Sequence, residues 1–187
     1  MPAPTMAASL GEAPLKPGVF RSKRFGLDVE LYDGKTWKID DRSTRWLSAT
    51  HPEGSTAILR IWHDENRMSR DKCEERARSL RKLPTRETAE MVDQRSFDLP
   101  PGFDTQADVG IVPSPKGDIF GFVLAFGGRA RRCFAFVYVT QASGPNANEI
   151  VADRLAKVTE HTLGTMKLHR DFDVVLEREA PPLEDQP

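Results

Sequence analysis

Residues 118–166 constrain this chain more than any other stretch. Two apolar segments, 119–126 and 133–140, flank Gly127-Gly128 and lead into one strongly amphipathic segment. In the second, Cys133, Ala135, Val137 and Val139 alternate with Phe134, Phe136 and Tyr138, while Phe120, Phe122, Leu124 and Phe126 repeat the aromatic loading in the first. A period of two belongs to a strand, because successive side chains point to opposite faces. The pair reads as a hairpin turning at Gly127-Gly128 and apolar on both sides. Behind it Val151, Leu155, Val158, Thr162 and Met166 fall on one helical line, with Asn146 or Asn148 placed to cap it. A hairpin apolar on both faces needs cover on both. Two helices sandwiching the sheet supply it, and so would a partner seated in an apolar groove.

The same periodicity organises the rest. Phe25, Leu27, Val29 and Leu31 alternate with polar neighbours and stop at Asp33-Gly34, and a short segment with Trp37 and Ile39 follows. Residues 45–51 and 56–63 predict a second hairpin, with Ala57, Leu59, Ile61 and His63 on one side and Ile58, Arg60 and Trp62 on the other. Ser69 is placed to cap a helix over 69–83 that Pro84 stops, with Cys73, Ala77 and Leu80 as its inner stripe. Short strands are expected over 92–98 and 108–112, separated by Leu-Pro-Pro-Gly. Strands, a helix, more strands and a final helix give an α+β class, an antiparallel-rich sheet packed by helices. One domain is expected over 19–178. The segments 1–18 and 179–187, rich in Pro, Ala and charge, are expected to be a flexible leader and tail.

The element order carries a resemblance. An early alternating strand and Trp-containing turn, FGLDVELYDGKTWKI, precede WLSATHPEGSTAILRIW, a helix, a hairpin ending in FAFVYV and a last helix. That order over residues 20–168 resembles the PsbP-like superfamily, which includes the Ran-release factor Mog, DcrB-type bacterial lipoproteins and type VI effector chaperones. The resemblance implies an α/β/α sandwich and non-enzymatic work: binding proteins, assembling complexes or shielding apolar segments. It brings no shared catalytic residues.

Cys73 and Cys133 are the two cysteines of the chain. The helix stripe and the small-residue strand face each direct one sulfur inward, so they meet if that helix packs on that strand. In an oxidising compartment the bond would stabilise by about 4 kcal/mol on the chain-entropy model. The alternative is two buried thiols acting as small hydrophobes. The leader's small-residue composition fits what remains when a secretion signal or lipid anchor is removed, and fits an ordinary cytoplasmic leader as well.

Function classes narrow by charge and motif. With 27 Lys and Arg against 28 Asp and Glu there is no global field to draw nucleic acid or an anionic membrane. Arg129, Arg131 and Arg132 cluster at the central turn and suit an acidic protein partner better than phosphate, because acidic residues interrupt the other basic run. No apolar run approaches the roughly 18 residues of a membrane span. His51 and His63 are the candidates for a small hydrolase, but neither GxSxG, HExxH, a phosphate loop nor a CxxC pair occurs. No metal or cofactor is expected. The sequence therefore predicts an accessory or binding module, its setting a bacterial cell envelope or a periplasm-facing surface. It would engage a protein partner through Trp62, Phe134, Phe136 and Tyr138 on the sheet and through the three arginines.

Overall fold

The computed structural model describes residues 15–168; the expected tail 179–187, and all of the expected leader except residues 15–18, lie outside them. Ten strands and two helices follow in order. They are β1 (Val19–Ser22), β2 (Leu27–Glu30), β3 (Lys38–Asp40), β4 (Leu47–His51), β5 (Ser55–His63), α1 (Arg70–Leu80), β6 (Glu90–Asp98), β7 (Asp104–Pro113), β8 (Ile119–Arg129), β9 (Arg132–Ala142), α2 (Ala147–Lys157) and β10 (Lys167–Leu168). A π-helical turn, Val158–Leu163, continues α2. Seven strands form an antiparallel sheet in the order β3-β4-β5-β9-β8-β7-β6, and β1, β2 and β10 form a second, three-stranded one. The α+β class is as expected.

Each face of the large sheet has its own apolar core. On one, α1 packs against β8 and β9, over Phe122, Leu124, Phe126, Ala135 and Val137, with Trp46, Ile58 and Trp62 beside them. On the other, α2 packs against the same two strands, over Val123, Ala125, Phe134, Phe136 and Tyr138, while Phe25, Leu27, Val29 and Leu31 complete the layer. All five residues of the expected helical line are buried, although the last, Met166, lies beyond the helix. The first helix is shorter than expected. Ser69 does cap it, accepting from the Lys72 N–H at 3.4 Å, but the backbone turns extended at Arg81 and Leu83 folds back into the core.

Cys73 and Cys133 are disulfide-bonded, with Cα atoms 5.4 Å apart and a sequence separation of 60. Of the two readings open in the sequence, the structure takes the bonded one. The bond joins the first turn of α1 to the start of β9.

The central turn is not where the glycines suggested. β8 and β9 stay paired through Gly127↔Phe134 and Gly128↔Cys133 as far as Arg129↔Arg132, and the chain reverses at Ala130-Arg131, with Ala130 at φ 52°. Gly127 and Gly128 are strand residues. Their absent side chains answer a packing constraint: a Cβ on Gly127 would lie 1.8 Å from Thr105 Oγ1, and one on Gly128 would lie 2.8 Å from the Met68 carbonyl oxygen. Neighbouring β7 and the segment entering α1 occupy the space. Gly127→Ala is therefore expected to destabilise the fold by about 2–3 kcal/mol, the cost of forcing extra volume into a packed site, read as a lower urea midpoint at unchanged slope.

Candidate functional site

The densest polar cluster lies at the end of the sheet away from the disulfide. The β4–β5 turn places His51, Glu53 and Ser55 under the chain leaving β2, which contributes Tyr32 and Asp33; β9 supplies Tyr138 and Thr140, and α2 supplies Arg154. The Tyr32 and Tyr138 hydroxyls are 2.6 Å apart, and Tyr32 donates to Glu53 Oε1. Ser55 Oγ lies 3.1 Å from the Tyr138 hydroxyl, 2.9 Å from Glu53 Oε1 and 2.8 Å from Thr140 Oγ1. Arg154 closes the ring, donating to Thr140 Oγ1 and the Gln141 carbonyl at 3.0 Å each, with its Nε 3.3 Å from Glu53 Oε2. Burial raises both tyrosine pKa values above their ordinary range, so the hydroxyls stay protonated and able to donate.

His51 sits at the rim of this network with both ring nitrogens engaged. Nδ1 accepts the Glu53 backbone N–H at 3.1 Å, which leaves Nε2 to carry the proton and donate to Asp33 Oδ2 at 2.9 Å. That bond holds the Asp33 carboxyl below its usual range. Nδ1 is thus taken by a backbone donor, and Ser55 bonds to other partners. His63, at the opposite end of β5, is exposed and stands across the ladder from Arg132. The strand separates the two histidines rather than joining them. Beside the network a shallow hollow of about 370 Å³ is lined by Glu53, Gly54, Gln141, Ala142, Ser143, Ile150 and Arg154.

A second cluster fastens α1 to the sheet. Arg86 reaches Asp108 Oδ2 at 2.7 Å and Glu74 Oε2 at 3.0 Å, and Arg78 Nε donates to Glu74 Oε1 at 2.9 Å. Gln94 Nε2 donates to Asp108 Oδ1 at 2.8 Å. Burial works to raise both carboxyls, but the hydrogen bonds from Arg86 and Arg78 to Glu74, and from Gln94 and Arg86 to Asp108, prevail and lower them.

The aromatic residues expected to meet a partner are core instead. Phe134 and Tyr138 are 0% exposed, Phe136 1% and Trp62 5%. Phe134, Phe136 and Tyr138 belong to the core under α2 and the small sheet, and Trp62 packs under the α1 layer beside Trp46, with the Arg60 guanidinium 5.6 Å from its ring. Alternation assigned these residues to the right faces but did not show what covers each face. Of the arginines, Arg129 and Arg131 are exposed at the turn, and Arg132 is half-buried. Exposed apolar groups lie elsewhere: Phe120 at the open end of the α1 face, and Met91 and Val92 on β6. The sequence reading missed Glu53, Ser55 and Arg154. The sequence signal for them is modest, a Glu and a Ser flanking the glycine of a hairpin loop next to His51.

No protein-family model matches the chain, and no curated protein matches it. Solved structures that are similar in part include two, one identified by its organism and one by name. One, from Bacteroides thetaiotaomicron VPI-5482, has a TM-score of 0.45 at 9% identity over 84% of this chain; the chain spans 50% of that protein's length. The other is LpqN, involved in cell envelope biogenesis of Mycobacterium tuberculosis, with a TM-score of 0.43 at 9% identity, covering 75% of this chain and 82% of LpqN. Among the described residues no helix is long and apolar enough to cross a membrane, and no group of three His, Cys, Asp or Glu residues is arranged to hold a metal ion.

Glu53 accepts from Tyr32 and Ser55 and pairs with Arg154. Its removal takes one acceptor from the buried Ser55 hydroxyl and from the half-buried Tyr32 and Arg154. Glu53→Ala is expected to cost about 2–3 kcal/mol, measured by chemical denaturation, with Ile150→Ala on the exposed side of α2 as the near-neutral control.

Proposed function

We propose that this chain is a non-catalytic binding module of an oxidising compartment, with the cell envelope as its setting. It engages an acidic protein partner through the β8–β9 turn. The observation that carries the reading is the Cys73–Cys133 bond, which pairs both cysteines of the chain across 60 residues. Structural disulfides persist outside the reducing cytosol and are rare within it. Polar satisfaction supports the non-catalytic part. His51 has both nitrogens committed and Ser55 is held by Glu53, Thr140 and Tyr138, which is how a network that orders a loop is built. A hydrolase at His51 or His63 would need a nucleophile within reach of a free imidazole nitrogen.

The docking surface in this reading is the turn, not the sheet. Arg131 is exposed at the tip of the longest hairpin, Arg129 is exposed at the base of the turn with its guanidinium beside the Pro101 carbonyl, and the disulfide one residue beyond Arg132 anchors that hairpin to α1. Exposed guanidinium groups on a fixed turn suit carboxylates on a partner surface.

Thiol trapping in intact cells of the native organism tests both parts. Cells quenched in acid and alkylated with a mass-tagged maleimide are expected to yield protein that takes no tag before reduction and two tags after it. Cross-linking in the same cells is expected to give a specific adduct that is lost on Arg131→Glu. Two free thiols in freshly quenched cells would contradict the compartment, and an adduct unaffected by Arg131→Glu would contradict the turn.

A further inference from the structure

The large sheet ends at β6, a nine-residue strand that among the described residues pairs only with β7. Its side chains are mostly exposed, and it carries two of the most exposed large apolar residues, Met91 at 42% and Val92 at 49%. An open edge bearing apolar side chains is a template for another strand. Proteins commonly blunt such edges with charge. β6 carries charge as well, but in a particular arrangement.

Asp93 and Arg95 lie on one face of β6, two residues apart, with Arg95 Nε 2.7 Å from Asp93 Oδ2 and both side chains open to solvent. Their register partners on β7, Val109 and Ala107, are core residues of the α2 face. Gln94 stands between them. A second β6 laid antiparallel, with Gln94 opposite its own copy, sets Asp93 of each chain against Arg95 of the other. The four charges then alternate around a closed square, each with an opposite charge beside it along the strand and across it. A uniformly acidic or basic edge would repel its copy; this one is its own complement.

A β-bulge against β7 between Met91 and Asp93 makes Val92 the extra residue of β6. In the register centred on Gln94, Val92 of one copy stands opposite Ser96 of the other, and Met91 opposite Phe97. The exposed apolar pair is then covered at each end of the square. A two-fold axis normal to the sheet leaves α1 faces on one side and α2 faces on the other, so the two sheets run on as one.

We propose that β6 is a self-recognition edge, through which two copies of this chain pair antiparallel about Gln94 by the Asp93/Arg95 square. The partner is a second copy because the edge is complementary to itself in a register that keeps both faces aligned. The interface is isologous, and it is salt-sensitive because its charges are exposed.

Sedimentation velocity on the full chain over a wide concentration range tests this. The expected result is a monomer–dimer equilibrium that weakens as salt rises. Arg95→Asp sets like charges against each other twice and is expected to raise the dimer dissociation constant by about tenfold or more. Asp93→Arg alone is expected to do the same from the other side. Combining Asp93→Arg with Arg95→Asp restores the alternation and is expected to return dimerisation to near the original strength. Circular dichroism melts of all three variants should match the parent, since the edge is exposed. A chain that stays monomeric up to about 1 mM, where even weak interfaces are populated, would overturn the proposal. So would a dimer that Arg95→Asp leaves unchanged, or one that the double exchange fails to restore, which would place the contact on another surface.

Discussion

Everything on one face of the large sheet depends on how α1 is held there. The helix buries only Cys73 and Ala77, two small side chains. At about 25 cal/mol per Å² of apolar surface, so little area cannot fix an eleven-residue helix against a sheet. Other attachments hold it, among them Arg70, which donates to Gln106 on β7 at 2.7 Å. The Cys73–Cys133 bond joins its first turn to β9, and Glu74, through Arg86, joins it to Asp108 on β7. With α1 in place, Phe122, Leu124, Phe126 and Trp62 are covered.

The opposite face is held differently. α2 and the turn that continues it bury Ala147, Val151, Leu155, Val158 and Leu163, an apolar line sufficient to dock a helix without a covalent bond. The three-stranded sheet adds Phe25, Leu27 and Val29, and the hydroxyl network ties the exit of β2 to the β4–β5 turn, β9 and α2. The sheet thus has a face held by ordinary burial and a face held by a covalent and ionic clamp. The clamped face lies behind the arginine turn, so oxidation state and the geometry of the proposed docking point are linked through one bond.

Much of this was legible locally. The strand alternation, the line from Val151 to Met166 and the inward direction of both cysteines follow from periods of two and 3.6. What was not legible depended on segments distant in the chain. Gly127 and Gly128 look like a turn because the reason they lack side chains is Thr105 and the backbone at Met68. Phe134, Phe136, Tyr138 and Trp62 look like a binding surface because the cover over them comes from elements remote in sequence, including a small sheet built from β1, β2 and β10. Tyr32 and Tyr138 are 106 positions apart, and nothing in the neighbourhood of either announces the other.

The measurement that bears most directly on the clamp is hydrogen exchange of the oxidised and the reduced protein, resolved by peptide and run under native conditions. Amides that open only with the whole fold exchange slowly, and those of a locally detached element exchange fast. Reduction is predicted to release protection across Arg70–Leu80 while Ala147–Lys157 keeps its own, so that one helix detaches from a sheet that stays folded. Equal protection of Arg70–Leu80 in both states would contradict the account, because the bond would then contribute nothing to holding the helix. Equal loss in both helices would contradict it too, since the two faces would then share one support.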